Sequence, residues 1–206
     1  TLDKSIIDEL DVVSGDIRSH DSVRYAVKGV EVIFNLAALI AIPYSYISPL
    51  SYIKTNIEGT LNVMQASLDF GIERVVQIST SETYGTAKYV PIDESHPMQA
   101  QSPYSASKIG SDSIAYSFFK SFDLPVTIAR PFNTYGPRQS ARAIIPTVIS
   151  QILSEKKEIL LGSSAPTRDL TYVNETVKGL RLLSESGDAI GKTINIGSGK
   201  EISIGE

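Results

Sequence analysis

Ile78-Ser79-Thr80-Ser81-Glu82-Thr83-Tyr84-Gly85 is the segment that most clearly indicates the fold of this chain. It continues a predominantly apolar run, Val75 to Ile78, which predicts a buried parallel strand. Polar side chains at the carboxyl end of such a strand lie where open α/β sheets bind their ligands. The stretch therefore predicts an α/β fold with a functional site after this strand.

A second segment, Ser102-Pro103-Tyr104-Ser105-Ala106-Ser107-Lys108, predicts the start of a helix, with Ser102 as its cap. Tyr104 and Lys108 are four residues apart and share one face of that helix. An ammonium beside a phenol favours the ionised phenol, so the pKa of Tyr104 is expected to fall from about 10. An isolated Tyr-x-x-x-Lys is more often a plain helix, but the preceding Ser-Thr-Ser-Glu favours an active site.

The two segments together resemble those of the extended short-chain dehydrogenase/reductase family, and among its members the nucleotide-sugar 4,6-dehydratases. The resemblance implies a Rossmann-like doubly wound parallel sheet, with residues 1–135 binding NAD and residues 136–206 forming a small α/β substrate-binding part that is interleaved with the sheet. The family's glycine-rich dinucleotide loop has no counterpart in this sequence. A chain that lacks the first βα unit, and that is truncated at both ends, is therefore expected.

The resemblance implies five catalytic residues: Thr80, Ser81, Glu82, Tyr104 and Lys108. Glu82 is informative because epimerases of the family usually lack a carboxylate there, whereas 4,6-dehydratases carry one. The preceding position is Asp in one dehydratase branch and is Ser81 here, which leaves the proton donor to the departing hydroxyl open. The expected reaction is NAD-dependent dehydration of a nucleotide diphosphate hexose, and the overall resemblance to dehydratases of legionaminic acid synthesis suggests UDP-N-acetylglucosamine.

Residues implied for NAD binding lie mainly at the ends of predicted strands. A Gly-Asp-hydrophobic segment contacts adenine in the family, and a segment like Asn35-Leu36-Ala37-Ala38 lies under the pyrophosphate and ribose. An asparagine of the following helix supports the active site. The implied residues are Asp16, Ile17, Leu36, Ala37, Ala38, Asn56, Ser79, Tyr104, Lys108 and Pro131.

Two further segments resemble the family's substrate-binding motifs. In Arg130-Pro131-Phe132-Asn133-Thr134-Tyr135-Gly136-Pro137-Arg138, Asn133 is expected to bind the sugar nucleotide. In Thr167-Arg168-Asp169, the guanidinium of Arg168 suits a diphosphate. With Thr80 and Glu82, the implied substrate residues are Asn133, Arg138 and Arg168. Gly197-Ser198-Gly199-Lys200 looks like the tail of a phosphate-binding loop, but its first glycine is absent, and a tight turn is predicted instead.

The remaining segments give further expectations about secondary structure. We predict strands over 11–17, 30–38 (in the centre of the sheet), 73–80, 124–130, 157–162 and 201–204. Helices are predicted over 19–29, 51–70, 103–122, 143–153 and 177–184, and loops over 40–49 and 86–101. Residues 51–70 and 104–122 are expected to form a homodimer interface, as they do in the family.

Composition excludes several other classes of protein. The 206 residues are 42% hydrophobic, which suffices for a sizeable core, and the net charge of −4 offers no basic field for nucleic acid. No apolar run approaches the roughly 20 residues of a membrane span, and the absence of a signal peptide suggests a cytoplasmic protein. With no cysteine, thiol and zinc–thiolate chemistry are excluded, and no metal site is predicted.

Three alternatives stay open at this point. A UDP-glucuronate decarboxylase also carries Ser-Thr-Ser-Glu before Tyr-Gly, although Thr167-Arg168-Asp169 favours a dehydratase. A nucleotide-sugar 4-epimerase is disfavoured by Glu82. A non-catalytic fragment that binds NAD or a nucleotide sugar is the alternative from another class, and the presence of Thr80, Tyr104 and Lys108 argues against it.

Overall fold

The main sheet has four parallel strands. In the computed structural model, which describes residues 6, 8–155 and 157–206, the first three are β1 (Val32–Asn35), β2 (Arg74–Ile78) and β3 (Val126–Pro131). Short strands β4 (Asn133–Tyr135), β5 (Thr167–Arg168) and β6 (Leu170–Tyr172) follow, and then β7 (Thr193–Ile196) and β8 (Ile202–Ser203). The strand order of the main sheet is β1-β2-β3-β7. Strands β4 and β6 form a parallel pair, and β5 and β8 an antiparallel one.

Helices cover the sheet and connect its strands. Along the chain they are α1 (His20–Val27), α2 (Ile42–Ile47), α3 (Pro49–Tyr52), α4 (Gly59–Phe70), α5 (Pro103–Phe122), α6 (Ile144–Leu153) and α7 (Val173–Glu185). A π-helical segment, Ile53–Glu58, joins α3 to α4, and Gly71 ends α4 in the left-handed conformation at φ 63°. The predicted Rossmann-like α/β sheet is confirmed.

Two apolar clusters hold these layers together. The larger one packs α1, α4 and α5 onto the sheet through buried residues that include Val63, Met64, Val75 and Ile128. The smaller one packs α7 against the other face through Val76, Ala129, Leu180 and Leu183. Because β7 and α7 come from residues 136–206, the C-terminal part contributes to the main sheet, and the division at residue 135 stays a prediction.

Several predictions of local structure are wrong. Residues 11–16 form no strand; they are exposed and pair with no other segment in the part of the chain that the structure describes. A lone extended segment has unpaired backbone groups, so alternation in the sequence is not sufficient for a strand. Strand β1 was expected to be central, but it lies at an edge of the described sheet and is half exposed.

The predicted strand over 157–162 is also absent. The side-chain amide of Gln151 replaces a neighbouring strand there, since Leu160 N donates to Gln151 Oε1 at 2.8 Å and Gln151 Nε2 donates to Leu160 O at 3.0 Å. The predicted loop over 40–49 contains α2 and the first residue of α3. Pro43 and Pro49 lie in the first turns of these helices, where a missing backbone N–H is tolerated.

Candidate active site

The carboxyl ends of the parallel strands bring several polar side chains to one edge of the sheet. Ser79 and Thr80 follow β2, Arg130 lies near the end of β3, and Asn195 lies in β7. All four side chains are at least partly buried. This edge is where open α/β sheets bind their ligands, and the sequence predicted a site there.

The turn after β2 fixes the direction of Glu82. Thr80 caps a single 3₁₀ turn, Ser81–Thr83, because its hydroxyl accepts a hydrogen bond from Glu82 N at 3.2 Å. The Thr83 hydroxyl donates back to the carbonyl of Thr80 at 2.8 Å. The Glu82 side chain is partly buried and lines a cavity of about 850 Å³. A carboxylate is thus presented to a space large enough for a nucleotide sugar.

Helix α5 carries Tyr104 and Lys108 on its buried face. Ser102 and Ser105 form a capping box at its start, with Pro103 in the first turn, as the sequence predicted. Both functional side chains are buried, at 7% and 4% relative exposure for Tyr104 and Lys108. The helix therefore holds both groups in a fixed position beside the end of β2.

The predicted fall in the pKa of Tyr104 is wrong for this structure. Burial raises the pKa of Tyr104 to about 12, the nearby Thr80 hydroxyl opposes that rise, and the charge of Glu82 adds to it. The Lys108 ammonium donates to the carbonyl of Ile78 at 2.6 Å, and burial lowers the pKa of Lys108. The four-residue spacing places the Lys108 ammonium on the same helical face as the Tyr104 phenol. Desolvation nevertheless has the larger effect on the pKa of Tyr104. Glu82 lies two residues after Thr80, in the turn that Thr80 caps.

A buried ion pair lies on the same face of α5, one turn beyond Lys108. Asp112 Oδ2 accepts hydrogen bonds from Ser79 Oγ at 2.7 Å and from Arg130 Nη2 at 3.1 Å. Burial raises the pKa of Asp112, while the positive charges of Arg130 and Lys108 oppose that rise. Asp112 Oδ1 has no hydrogen-bond partner among the described residues. The ion pair and the Ser79 hydrogen bond join the ends of β2 and β3 to α5.

The pair extends into a wider polar network. Arg130 Nη1 donates to the Tyr84 hydroxyl at 3.1 Å, and its guanidinium stacks over the Tyr84 ring at 4.9 Å from the centroid. The Tyr84 hydroxyl donates in turn to Asn195 Oδ1 at 2.7 Å. Burial raises the pKa of Tyr84, so the phenol acts as a neutral hydrogen-bond bridge. The network joins the ends of β2, β3 and β7, so the edge of the sheet that carries the site is rigid.

Asn56 holds α5 from the opposite side. This buried residue lies in the π-helical segment, a geometry that is frequent at functional sites. Its amide accepts from Leu39 N at 2.8 Å and donates to Leu39 O at 3.0 Å and to Ser107 Oγ at 2.8 Å. Asn56 therefore connects the segment after β1 with the turn of α5 that lies between Tyr104 and Lys108.

The large cavity lies between the turn after β2 and the C-terminal part of the chain. Its wall includes Ser81 and Glu82 from that turn, and Asn133 and Arg168 from the predicted substrate motifs. Thr80, Tyr104 and Lys108 are not part of this wall. Arg138 also lies elsewhere: it is exposed, at φ 67°, and does not line the cavity.

The residues predicted to bind a dinucleotide do not line the large cavity. Asp16 lines a second cleft of about 300 Å³ with Arg18, Ser19, Lys54 and Glu58, and hydrogen bonds from Arg18 lower the pKa of Asp16 to about 2. Ile17 packs against Gly59, at a separation that would not admit a β-carbon there. Leu36 and Ala37 are exposed after β1, Ala38 is partly exposed, and Pro131 ends β3. The Ser79 hydroxyl is directed to Asp112.

Sequence reasoning did not single out Asp112, Tyr84, Asn195 or Lys200 as site residues, and Arg130 was noted only within a motif. Two signals would have found two of them. Asp112 is eight residues after Tyr104 and four after Lys108, so all three share a helical face. Asn195 is a polar residue near the carboxyl end of a parallel strand. Lys200 belongs to the glycine-containing turn that the sequence did point out, but the incomplete phosphate-loop pattern gave this turn no role.

The parallel sheet, the Ser-Thr-Ser-Glu turn and the buried Tyr-x-x-x-Lys face define an extended short-chain dehydrogenase/reductase. The family model for GDP-mannose 4,6 dehydratase matches residues 2–206. A low-salt glycan biosynthesis protein of Haloferax volcanii is 36% identical over 191 residues, which are 93% of this chain and 61% of that protein. The chain therefore belongs to the GDP-mannose 4,6 dehydratase family, among the nucleotide-sugar dehydratases and epimerases.

Solved structures of both reaction types are similar to this one. A double mutant of DesIV, a dTDP-glucose 4,6-dehydratase from Streptomyces venezuelae crystallised with NAD, has a TM-score of 0.85 and 32% identity, covering 92% of this chain and 59% of that one. A UDP-N-acetylglucosamine 4-epimerase from Methanobrevibacter ruminantium has a TM-score of 0.88 and 32% identity, covering 96% and 64%. The chain thus spans about three fifths of the length of these relatives. Within its described residues, none of its helices is both long and apolar enough to cross a membrane.

Proposed function

We propose that this protein dehydrates a nucleotide diphosphate hexose to its 4-keto-6-deoxy form. The observation that carries the proposal is the position of Glu82. Its side chain lines the large cavity, in the turn that Thr80 caps after β2. The end of β2 also holds the Tyr104 helix, because the Lys108 ammonium of α5 donates to the carbonyl of Ile78. Dehydration requires a base for a carbon-bound proton in addition to a base for a hydroxyl, and Glu82 and Tyr104 are suited to these two roles.

Tyr104 acts on the C4 hydroxyl of the sugar. Its phenolate oxygen takes the hydroxyl proton as C4 is oxidised to a ketone, and the Thr80 hydroxyl hydrogen-bonds the same sugar oxygen. Because burial raises the pKa of Tyr104, its activation depends on positive charge at the site, and Lys108, one helical turn away on α5, is the candidate source. A positioned acid–base group of this kind contributes about 10²–10⁴-fold to the rate.

Glu82 acts on the next carbon. The C4 ketone acidifies the C5 proton, the Glu82 carboxylate removes it, and the C6 hydroxyl leaves as water. Ser81 lines the same cavity and is the candidate for passing a proton to the departing hydroxyl. The product keeps the nucleotide diphosphate and carries a methyl group at C6.

The residues present fit NAD. The Lys108 ammonium has three donors and donates one to Ile78 O, and no other hydrogen bond joins this ammonium to the described residues. Lys108 lies one turn of α5 after Tyr104, and its remaining donors suit ribose hydroxyls. The residues that would hold the cofactor are Asp16, Ile17, Leu36, Ala37, Ala38, Asn56, Ser79, Tyr104, Lys108 and Pro131. Bound NAD would supply the hydride acceptor for C4 and the hydride donor for C6, so the reaction would need no external oxidant.

For the substrate we infer UDP-N-acetylglucosamine, held through Asn133 and Arg168 in the cavity wall, with Arg138 as a further contact. The similarity to a UDP-N-acetylglucosamine 4-epimerase supports this sugar nucleotide, and the similarity to DesIV makes dTDP-glucose the main competitor. The same epimerase makes 4-epimerisation the second candidate reaction. Glu82 disfavours it, because epimerisation at C4 needs no base at C5.

We further propose that the protein is a homodimer through residues 51–70 and 104–122. Exposed apolar side chains on these helices support the proposal, notably Leu61, Tyr116 and Phe122. Size-exclusion chromatography with light scattering tests it. The expected result is a dimer that dissociates when Tyr116 is replaced by a charged residue. A monomer at all concentrations would contradict the proposal.

The reaction is tested by incubating the protein with NAD and each of three substrates: UDP-N-acetylglucosamine, dTDP-glucose and UDP-glucuronate. Mass spectrometry should show loss of one water from UDP-N-acetylglucosamine. Loss of water from dTDP-glucose alone would correct the substrate, and a C4 epimer of unchanged mass, detected by NMR, would replace dehydration by epimerisation. Release of carbon dioxide from UDP-glucuronate would instead indicate a decarboxylase.

A further inference from the structure

The turn Gly197-Ser198-Gly199-Lys200 was predicted from the sequence as a tight turn without a role. In the structure, three of its four residues, Gly197, Gly199 and Lys200, line the same cavity as Glu82 and Arg168. The turn follows β7 and precedes β8. It therefore brings an ammonium group to the wall of the proposed substrate site.

The turn is held in one conformation by Asp169. The carboxylate of Asp169 accepts hydrogen bonds from Ser198 N at 2.9 Å, Ser198 Oγ at 2.8 Å and Gly199 N at 2.8 Å. A β-carbon at Gly197 would lie 2.8 Å from Asp169 Oδ2, and Gly199 has φ +70°. Both glycines are thus required by the geometry, and the direction in which the chain reaches Lys200 is fixed.

Arg168 lies on the strand next to the end of this turn. Strand β5 pairs antiparallel with β8, with Arg168 opposite Ile202, two residues after Lys200. The pairing therefore brings the chain that follows the turn next to the strand of Arg168. Arg168 and Lys200 both line the cavity, which is consistent with this pairing.

Neither cation is neutralised by an ion pair within the described part of the chain. Three carboxylates belong to the cavity wall: Glu82, Asp169 and Glu201. Asp169 is engaged by the turn, and Glu201 accepts a hydrogen bond from the Thr167 hydroxyl. Two positive side chains therefore remain available to an anionic ligand.

We propose that Lys200 is a second cation, beside Arg168, for the diphosphate of the nucleotide sugar. The inference rests on the proposed function and deepens it by assigning a further substrate-binding residue. A diphosphate offers several anionic oxygens in a row. Arg168 suits a bidentate contact with one phosphate, and the compact ammonium of Lys200 suits the other.

The test compares affinities by isothermal titration calorimetry at one fixed ionic strength. The probes are UDP and dTDP, and the matching monophosphates serve as ligands that lack the second phosphate. Lys200→Gln removes the charge, Lys200→Arg keeps it, and Lys178→Gln is the control. Lys178 is exposed on α7 and does not line the cavity, so its replacement makes the same change in net charge elsewhere.

Loss of one charge-assisted contact should weaken diphosphate binding about tenfold in Lys200→Gln. Monophosphate binding should weaken much less, and Lys200→Arg and Lys178→Gln should match the wild-type protein. Equal diphosphate affinity in Lys200→Gln and Lys178→Gln would overturn the proposal. Failure of the wild-type protein to bind either diphosphate would overturn it as well.

Two further comparisons distinguish this proposal from related hypotheses about the same cavity. UDP-glucose and UDP-glucuronate should lose affinity equally in Lys200→Gln; a loss confined to UDP-glucuronate would place the contact at the sugar carboxylate and refute the proposal. The binding test is also independent of catalysis. Lys200-dependent diphosphate binding without any dehydrated product would refute the proposed function alone, and dehydration with unchanged affinity in Lys200→Gln would refute this inference alone.

Discussion

Replacing Asp112 by Ala should destabilise the fold more than any other removal of one carboxylate from the sites described above. Its Oδ2 atom accepts from Ser79 Oγ at 2.7 Å and from Arg130 at 3.1 Å (Nη2) and 3.3 Å (Nε). The side chains of Arg130 and Asp112 are 6% and 4% exposed, so Asp112→Ala leaves a buried guanidinium without its counter-charge.

Breaking a buried ion pair from one side costs about 3–5 kcal/mol. Asp112 Oδ1 has no partner among the described residues, and the variant removes the cost of burying that atom. The expected loss is therefore at the lower end, about 3 kcal/mol, a large part of a typical stability of about 5–15 kcal/mol. Asp188→Ala, at an exposed carboxylate, is the control and should change stability by less than about 0.5 kcal/mol.

Urea unfolding followed by circular dichroism measures these free energies. The double variant Asp112→Ala/Arg130→Met should lose at least about 2 kcal/mol less than the sum of its single variants, because no charge is then left unpaired. A loss below about 1 kcal/mol in Asp112→Ala, or additivity in the double variant, would show that the Asp112–Arg130 ion pair does not stabilise the fold in this way.

Three other predictions follow from the buried groups and the turns. Burial raises the pKa of Tyr104 to about 12, above the ordinary tyrosine value of 10. Spectrophotometric titration of the ligand-free protein should therefore give the same tyrosinate absorbance for wild type and Tyr104→Phe up to pH 10. A Tyr104-dependent signal near neutral pH would contradict this. Burial lowers the pKa of Lys108 from 10.5, so between that lowered value and 10.5 the unfolded chain binds more protons than the folded chain. The stability of wild type relative to Lys108→Met should therefore rise with pH in that window. A stability difference that falls with pH would count against burial as the cause of the lowered pKa. A β-carbon at Gly191 would lie 2.2 Å from the Phe119 ring, so Gly191→Ala should cost about 1–3 kcal/mol more in urea unfolding than Gly71→Ala. Gly71 also has a positive φ but has nothing within 4 Å, and equal losses in the two variants would show that Phe119 gives way.

The sequence was sufficient for the features that depend on local chemistry and on the carboxyl-edge rule. Ser102 and Pro103 predicted the start of α5, and the apolar run before Ser79 predicted β2. Glu82 lines a cavity after β2, as the carboxyl-edge rule led us to expect, and its position beside Tyr104 stays a prediction. These predictions depend on neighbouring residues or on a rule that applies to all parallel sheets.

Features that depend on distant partners could not be obtained in this way. Strand pairing decides whether an alternating segment such as 11–17 is a strand, and the Gln151 amide replaced such pairing at Leu160. The pKa of Tyr104 is set by burial, which one helix does not reveal. The role of Asp169 in holding residues 197–200 depends on a contact 30 residues away along the chain.

The most direct test of the central claim, that Glu82 removes a proton from the sugar after Tyr104 has started oxidation at C4, is a single-turnover experiment with Glu82→Gln. The variant is mixed with NAD and UDP-N-acetylglucosamine, and both the reduced nicotinamide and the 4-keto-6-deoxy product are followed over time. In Glu82→Gln, reduced cofactor should accumulate while the formation of product slows by about 10²-fold or more relative to wild type. Product formation at the wild-type rate, with no reduced cofactor in excess of wild type, would contradict it.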